Sequence, residues 1–245
     1  MSLLTPIITA FQFLTILPPI SRRETELSDL GRAVGWFPLV GLAIGAFLAM
    51  VQWGLHQLFP PGIVAVLVLS LWLLASGAIH FDGFLDSCDG LFGGRTPEHR
   101  LEIMRDHRVG AFAVAGGGLL LLLKYNALLA LPQASMSLLL APMLGRWGIT
   151  IAIVFFPYAR EQGLGRAMKD HARWPQALLA TSIAMIVAAA LEGWLGLLAM
   201  FTVGLSLLLA IAFIRTRIPG LTGDSYGALC ELMEIVVLLA LIAMA

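Results

Sequence analysis

Three aspartates follow one another at short intervals in the segment HFDGFLDSCDG, residues 80–90. Asp82, Asp86 and Asp89 are spaced i, i+4 and i+7, so an α-helix would align them within roughly 60° on one face. The segment follows an apolar run, where charged side chains are costly. A divalent cation would neutralise the cluster, and all-oxygen ligation suits Mg²⁺ or Mn²⁺ better than zinc. The spacing therefore predicts a site for Mg²⁺ or Mn²⁺ at the end of an apolar helix.

The residues between the aspartates add to this prediction. We expect His80 to support the metal ligands from behind, and Gly83 and Gly90 to let a bulky substrate approach the backbone. The alternative is a solvated helix end with three exposed acids. Solvated faces usually mix charges, whereas this stripe is acidic only and is flanked by glycines.

The next polar segment, GGRTPEHRLEIMRDHRVGAF, begins with a helix-start signal. Thr96 suits the N-cap and Pro97 the first helical position, so a short helix should begin there. On that helix Glu102 and Asp106 would share a face at i, i+4. A hairpin between this helix and the preceding one would bring Asp106 towards the aspartate stripe.

Two arginines accompany Asp106 in this segment. Carboxylates that hold metal, with arginines beside them, suit diphosphate chemistry, because the arginines counter charge on the phosphate oxygens. Arg105 and Arg108 are therefore candidate catalytic residues. The alternative for each is the general excess of basic residues in cytoplasmic loops.

Charged residues also fall within or beside later apolar segments. Asp224 precedes the last one and Glu231 lies in its first turns, and intramembrane acids are functional candidates by default. Arg146 and Lys124 lie inside apolar segments and need partners, either such acids or a substrate phosphate. We predict substrate contacts for Arg146, Asp224 and Glu231, with internal ion pairing as the alternative.

The composition is that of an integral membrane protein. Of 245 residues, 59% are hydrophobic and only 12% are charged, against about 25% charged in soluble domains. The net charge of zero provides no overall field to attract nucleic acid, and none is expected as a partner. Cys88 and Cys230 lack metal-ligand spacing.

Seven apolar segments are long enough, or nearly so, to cross a bilayer as helices of about 20 residues. They are about 33–56, 63–81, 109–131, 136–156, 175–191, 194–214 and 226 to the C-terminus. Residues 3–19 are apolar but contain Pro6, and the sequence leaves open whether they span, re-enter or lie at the interface. We predict an all-α, polytopic helix bundle forming a single domain over residues 1–245.

The basic residues define an orientation for this bundle. Thirteen of the fifteen fall in loops that seven spans would place on one face, and the intervening loops contain none. Because Lys and Arg concentrate in cytoplasmic loops, that face should be cytoplasmic. They are Arg22, Arg23, Arg32, Arg95, Arg100, Arg105, Arg108, Arg160, Arg166, Lys169, Arg173, Arg215 and Arg217.

These residues resemble the signature of the cobalamin synthase (adenosylcobinamide-GDP ribazoletransferase) family. HFDGFLDSCDGLFGG and RLEIMRDHRVGAF are similar to its central stretches, and FQFLTILPP, GWFPLVGLAIGA and LTGDSYGALCELMEI to its others, in the expected order. The family pattern His-x-Asp-Gly-x-x-Asp-x-x-Asp-Gly is met by His80, Asp82, Gly83, Asp86, Asp89 and Gly90, and its Met-x-Asp element by Met104, Arg105 and Asp106.

The resemblance implies a late step in vitamin B12 synthesis in the bacterial inner membrane. Such enzymes join α-ribazole, or its 5′-phosphate, to adenosylcobinamide-GDP with Mg²⁺ and release GMP. We expect the metal on Asp82, Asp86 and Asp89, attack by the 5′-hydroxyl of α-ribazole, and Asp106 as a fourth ligand or the base, with ligand favoured. The expected partners are the two substrates and the lipid bilayer, and assembly of several copies is left open.

Two other functions compete with this one. A CDP-alcohol phosphotransferase making a phospholipid would carry an Ala-Arg pair where this chain has Asp86-Ser87. A cation transporter would also carry intramembrane acids, but such proteins often have repeated halves with interrupted helices, and no repeat is visible here.

Overall fold

The computed structural model describes residues 4–18, 26–131 and 136–244, and in them the chain is almost entirely helical. The all-α prediction is confirmed. The predicted cytoplasmic residues Arg22 and Arg23 lie outside the described residues. The helices are α1 (Leu4–Leu14), α2 (Leu27–Ala33), α3 (Phe37–Leu55), α4 (Pro61–Ala75), α5 (Ile79–Gly93), α6 (Pro97–Ile103), α7 (Ala111–Ala130), α8 (Ser137–Phe155), α9 (Leu164–His171), α10 (Trp174–Arg217) and α11 (Gly223–Met244).

Five helical segments of the described chain are long and apolar enough to cross a membrane, and the bent pair α4 and α5 would make six. The five are Leu27–Leu55, α7, α8, α10 and α11. Helix α1 has 11 residues, too few to span a hydrocarbon core of about 30 Å, and it packs on α3 through Phe13 and Phe37, whose ring centroids are 6.1 Å apart.

The 44-residue helix α10 is interrupted at Gly193, whose backbone is not helical (φ 58°, ψ −131°). A Cβ atom on Gly196 would overlap the carbonyl oxygen of Ala188. In a straight helix residues 188 and 196 would be about 12 Å apart, so the chain reverses at Gly193. The two arms match the predicted segments 175–191 and 194–214. The total of seven crossings stays a prediction.

The predicted span 63–81 is wrong at its C-terminal end. Helix α4 stops at Ala75, and α5 leaves it at 89°. The N–H of Gly77 bonds to the carbonyl of Leu74 and that of Ala78 to Leu73, the hydrogen bonds of a Schellman motif, with Gly77 at φ 61°. The aspartate stripe therefore lies on a separate helix that turns away from the span, and does not prolong it.

Helix α8 forms the centre of the bundle, where it packs between α3 and α11. Small residues allow this close approach: a Cβ on Gly41 or Gly45 of α3 would overlap the backbone of Pro142 or Leu138 of α8. Helix α11 also crosses α5, and this crossing brings its N-terminus beside the aspartate stripe.

Candidate active site

A polar cavity of about 350 Å³ lies where α5, the segment after α6 and the N-termini of α7 and α11 meet. Its charged lining is five carboxylates and three guanidinium groups, and His107 also borders it. They are Asp82, Asp86, Asp89, Asp106 and Asp224, with Arg105, Arg108 and Arg160. The predicted stripe on one helix face is confirmed, and Asp106 joins it from the segment after α6 as expected. Asp224 joins it from α11, a proximity that the sequence did not predict.

Asp89 is the buried end of the stripe and is bonded to the start of α7. Its carboxylate accepts hydrogen bonds from the backbone N–H groups of Gly110 (2.6 Å) and Ala113 (2.8 Å). Gly110 must lack a side chain, because a Cβ there would lie 2.7 Å from a carboxylate oxygen of Asp89. The carboxylate thus caps a helix N-terminus, where negative charge is favoured. Two N–H bonds use only part of its roughly four lone-pair sites, so its role as a metal ligand stays a prediction.

Asp106 lies outside α6, so the predicted shared face with Glu102 is wrong. The helix begins as predicted, since the Thr96 side chain accepts a bond from the His99 N–H at 3.3 Å. It ends at Ile103 in a tight turn, with the Asp106 N–H bonded to the Ile103 carbonyl. The guanidinium of Arg108 donates two bonds to the Asp106 carboxylate, from Nε (3.0 Å) and Nη2 (2.7 Å).

This bidentate contact determines the proton affinity of Asp106. Hydrogen bonds from the Arg108 side chain and backbone hold the pKa of the Asp106 carboxyl below its usual range. A carboxylate of lowered pKa is a weak base. The arrangement accordingly favours Asp106 as an anionic ligand or electrostatic partner over a role as proton acceptor.

Asp224 pairs with Arg160. From the sequence, Arg160 was predicted only to be one of the basic residues of the cytoplasmic loops. Arg160 Nη2 lies 2.6 Å from the Asp224 carboxylate and also donates to the Met104 carbonyl at 3.3 Å. A short parallel bridge holds Arg160 in place, since the Ala159 N–H bonds to the Leu221 carbonyl at 2.8 Å. The signal available in the sequence was an acid in the Thr-Gly-Asp turn, at the start of an apolar segment.

Asp82 and Asp86 differ from the other three acids of the cavity. Their carboxylates form no hydrogen bond or ion pair within the described residues. Asp82 is exposed and Asp86 is half-buried. Across the described ranges, no three His, Cys, Asp or Glu side chains already surround one point as metal ligands. The cavity thus contains two open carboxylates beside three that are engaged.

The two glycines of the stripe pack against protein in this structure. A Cβ on Gly83 would lie 2.8 Å from the carbonyl oxygen of Asp224, and one on Gly90 would overlap the Met104 side chain and lie 2.9 Å from the Arg100 carbonyl oxygen. Gly83 therefore allows α11 to cross α5, and Gly90 allows α6 to pack on it. The expectation that a substrate approaches the backbone at these glycines is replaced by close helix packing.

His80, Arg146 and Glu231 belong to a buried charge network. Lys124 Nζ contacts the carboxylates of Glu231 and Glu234, each at 2.5 Å, and Arg146 Nη1 contacts Glu234 at 2.7 Å. Arg146 Nη2 lies 3.4 Å from His80 Nδ1. All five side chains are buried. For Arg146 and Glu231, which do not border the polar cavity, the structure shows the internal ion pairing that the sequence left as an alternative.

A second cavity, of about 290 Å³, adjoins the polar one. Asp82, Arg160 and Asp224 border both cavities and form the wall between them. Away from this wall the second cavity is mainly apolar and is lined by aromatic and aliphatic side chains, among them Phe13, Phe37, Ile149, Tyr158, Met168 and Tyr226. We refer to it as the apolar cavity.

Comparison with known proteins decides the family. The family model described as cobalamin-5-phosphate synthase matches residues 6–242. The chain belongs to the cobalamin-5-phosphate synthase family. A protein named adenosylcobinamide-GDP ribazoletransferase from Pseudomonas paraeruginosa is 42% identical, over 97% of this chain and 98% of the relative. Relatives with the same name from Stutzerimonas stutzeri (39% identical, 96% of this chain, 97% of the relative) and Roseiflexus sp. (37%, 96% and 88%) agree.

Membership of the cobalamin-5-phosphate synthase family makes the chain an enzyme of the transferase type that acts in cobalamin biosynthesis. No solved structure is significantly similar to it. The resemblance predicted from the five sequence stretches is confirmed.

Proposed function

We propose that this chain transfers the cobinamide phosphate of adenosylcobinamide-GDP to α-ribazole or its 5′-phosphate and releases GMP. The names of its relatives support the reaction. The observation that carries the proposal is the pair of adjoining cavities, one lined with carboxylates and arginines and one mainly apolar. A phosphoryl transfer between two large substrates needs a charged centre that both can reach.

The residues of the polar cavity fit a magnesium ion. Asp82 and Asp86 are open oxygen donors on one helix face, and oxygen donors are what Mg²⁺ prefers. We propose these two as the principal ligands, with Asp89 and Asp106 contributing through oxygens that their present partners leave free. When bound, Mg²⁺ would supply charge stabilisation for a diphosphate and its leaving group.

The arginines of the cavity suit the diphosphate of the substrate. Arg105 and Arg108 are exposed at the rim, where an incoming phosphate can reach them, and we propose that they counter the charge that develops on GMP. Arg160 has a side chain that is only 15% exposed and bonds both Asp224 and the Met104 carbonyl, so it holds the wall. Arg108 also pairs with an acid, Asp106, but its side chain is 89% exposed and can still reach a phosphate.

The transfer forms one oxygen–phosphorus bond and breaks another. A ribose hydroxyl oxygen attacks the phosphorus on the cobinamide side, and the bond to the GMP oxygen breaks. The hydroxyl proton passes to Asp224, the acid of the cavity that is not assigned to the metal. The expected 5′-hydroxyl needs revision on chemical grounds, because α-ribazole 5′-phosphate has no free hydroxyl there. If α-ribazole and α-ribazole 5′-phosphate react through the same hydroxyl, that group is a secondary hydroxyl of the ribose.

The test is GMP release by the purified protein in liposomes, given adenosylcobinamide-GDP and α-ribazole. We expect release that requires both α-ribazole and Mg²⁺, stops with EDTA and returns when Mg²⁺ is added in excess. Phosphorus–proton correlation in the NMR spectrum of the product identifies the oxygen that was attacked. Absence of release from folded, Mg²⁺-supplied protein would refute the proposed reaction.

We further propose that the polar cavity faces the cytoplasm of a bacterial inner membrane, because Arg105, Arg108 and Arg160, from two of the predicted cytoplasmic loops, line it. Helix α11 begins at the cavity and runs away from it to Met244. A reporter fused after the last residue should then lie outside the cytoplasm, so fused alkaline phosphatase is expected to be active and fused green fluorescent protein to be dark. The reverse pattern would place the cavity on the other face.

A further inference from the structure

The apolar cavity is built from aromatic side chains of several separate elements. Phe13 comes from α1, Phe37 from α3, Tyr158 from the loop after α8 and Tyr226 from α11. The rings of Tyr158 and Tyr226 are tilted by 32° with centroids 5.8 Å apart. A cavity of this size lies near the lower end of small-molecule sites, about 300–1,000 Å³, which suits a group of one or two rings.

The groups carried by the two substrates can be compared with this lining. The corrinoid is far larger than the cavity. Guanine has a polar edge with several donors and acceptors, which an apolar lining would leave unpaired at a cost of about 1–3 kcal/mol each. The base of ribazole, a dimethylated benzimidazole, is a neutral bicyclic aromatic ring with a single free acceptor nitrogen. Of the three groups, the benzimidazole is the one that the cavity suits.

Tyr226, which borders the cavity, carries a donor without a partner in the described chain. The Tyr226 side chain is buried, and its hydroxyl has no hydrogen-bond partner among the described residues. A buried hydroxyl without a partner is destabilising, and a ligand that brings one acceptor removes the penalty. The single acceptor of the benzimidazole matches the single unpaired hydroxyl.

The position of the cavity agrees with the chemistry. A ribose attached to a base in the apolar cavity would emerge at the wall formed by Asp82, Arg160 and Asp224, which also borders the polar cavity. Its hydroxyl groups would then lie at the edge of the charged centre. We propose that the apolar cavity binds the benzimidazole base of α-ribazole, with the Tyr226 hydroxyl donating to the free ring nitrogen, an inference that rests on the proposed function.

The experiment compares two acceptor nucleosides in the GMP-release assay. One is α-ribazole, and the other is the same riboside with the free ring nitrogen replaced by CH. One hydrogen bond worth about 1.4 kcal/mol gives tenfold discrimination, so the wild type should have a KM about tenfold lower for α-ribazole. Tyr226→Phe keeps the ring and loses the donor, and it should reduce this ratio to about one.

A second variant tests the site without changing the buried wall. Leu164 borders the apolar cavity and is 55% exposed, so Leu164→Trp can be accommodated by the fold while the larger side chain takes up space in the cavity. It should raise the KM for α-ribazole about tenfold and leave that for adenosylcobinamide-GDP within twofold. Tyr125→Phe, a tyrosine on α7 away from both cavities, is the matched control and should change neither KM.

The outcomes distinguish binding of the benzimidazole in the apolar cavity from the transferase reaction on which it rests. If the wild type releases GMP but Tyr226→Phe keeps the tenfold ratio, or Leu164→Trp leaves the KM for α-ribazole unchanged, the inference is overturned and the transferase function stands. If the wild type releases no GMP with either nucleoside, both are overturned.

Discussion

The molecule contains two groups of charged side chains that differ in how fully their charges are paired. In the buried network two cations, Lys124 and Arg146, meet two acids, Glu231 and Glu234. In the polar cavity five acids face three arginines, and the carboxylates of Asp82 and Asp86 are open. A fully paired group holds helices together, whereas unpaired carboxylates at an accessible surface are available to a ligand.

Loss of a charged side chain should have different effects in the buried network and in the polar cavity. Breaking a buried pair leaves a charge without water or partner and costs about 3–5 kcal/mol. Removing an open carboxylate relieves repulsion between like charges. The network should therefore respond to mutation through stability, and the cavity through activity.

The largest expected effect is on catalysis. Asp82→Asn or Asp86→Asn should lower the rate of GMP release by about 10³-fold or more, because metal stabilisation of the transition state is worth several kcal/mol. The unfolding temperature in detergent should stay equal to that of the wild type or rise. Single-turnover GMP release and thermal unfolding of the same preparations measure the two quantities.

Two further substitutions calibrate this result. Asp170→Asn removes an exposed acid paired with Arg166, away from the cavity, and should leave the rate unchanged. Asp89→Asn keeps one acceptor oxygen and turns an amide NH₂ towards the second backbone N–H, so it should lower the free energy of unfolding by about 1–3 kcal/mol, as well as the rate. Near-normal rates for both Asp82→Asn and Asp86→Asn would contradict the metal assignment.

Lys124→Met should be the most destabilising single change in the network. It leaves Glu231 and Glu234 with Arg146 as the one remaining cation, at a cost of about 3–5 kcal/mol. Chemical denaturation in detergent micelles measures the loss.

The double variant Lys124→Met with Glu231→Met tests the cause. It restores charge balance, so stability should recover towards the wild type, since apolar side chains can replace a buried pair at little cost. A double variant as unstable as the sum of the two single variants would show that charge balance is not what the network provides.

A smaller effect on stability and rate is expected at the close crossing of α5 and α11, which adjoins the polar cavity. Gly227→Ala would place a Cβ 2.8 Å from the His80 carbonyl oxygen and force α11 away from α5. Such overpacking costs about 1–3 kcal/mol and should also lower the rate of GMP release, because Asp82 and Asp224 separate. Gly118→Ala on α7, where a Cβ would meet nothing within 4 Å, is the matched control and should be neutral or slightly stabilising. Equal behaviour of the two variants would argue against the close crossing.

The smallest effect concerns the exposed pair of Asp106 and Arg108. Arg108→Gln removes the side-chain hydrogen bonds that are the main cause of the lowered pKa of Asp106 and keeps the backbone one, so this pKa should rise part of the way towards its ordinary value. Asp106 would then be protonated at a higher pH, and activity should fall earlier as the pH is lowered. Rates between pH 4 and 7 for wild type and variant measure the shift, and superimposed acid limbs would exclude an ionised Asp106 from the reaction.

The sequence predicted the features that depend on local spacing. The helix class, the aspartate stripe and the start of α6 at Thr96 all follow from short-range rules of periodicity and capping, and the structure confirms them. The end of α6 was missed because a seven-residue helix has no strong stop signal, and Asp106 falls just beyond it.

Other features depend on tertiary packing that spacing does not contain. Lys124 and Glu231 are 107 residues apart, and nothing local indicates that they pair. Arg160 and Asp224 are 64 residues apart and meet through a bridge between two loops. The bend between α4 and α5 has a local signal in Gly77, the left-handed glycine at the end of α4, but the apolar run continues past it. The next residue, Ala78, also adopts a left-handed backbone, φ 57°, that its side chain disfavours.

The reversal at Gly193 bears on how the protein enters the membrane during synthesis. The two arms of α10 are separated by a single non-helical residue, and Glu192 is the one charged side chain at the tip between them. The two arms of such a helical hairpin can enter the bilayer together, because the Glu192 carboxylate is the one charge that must cross the hydrocarbon core. The translocation machinery would thus handle two crossings in one event, without exporting a polar loop.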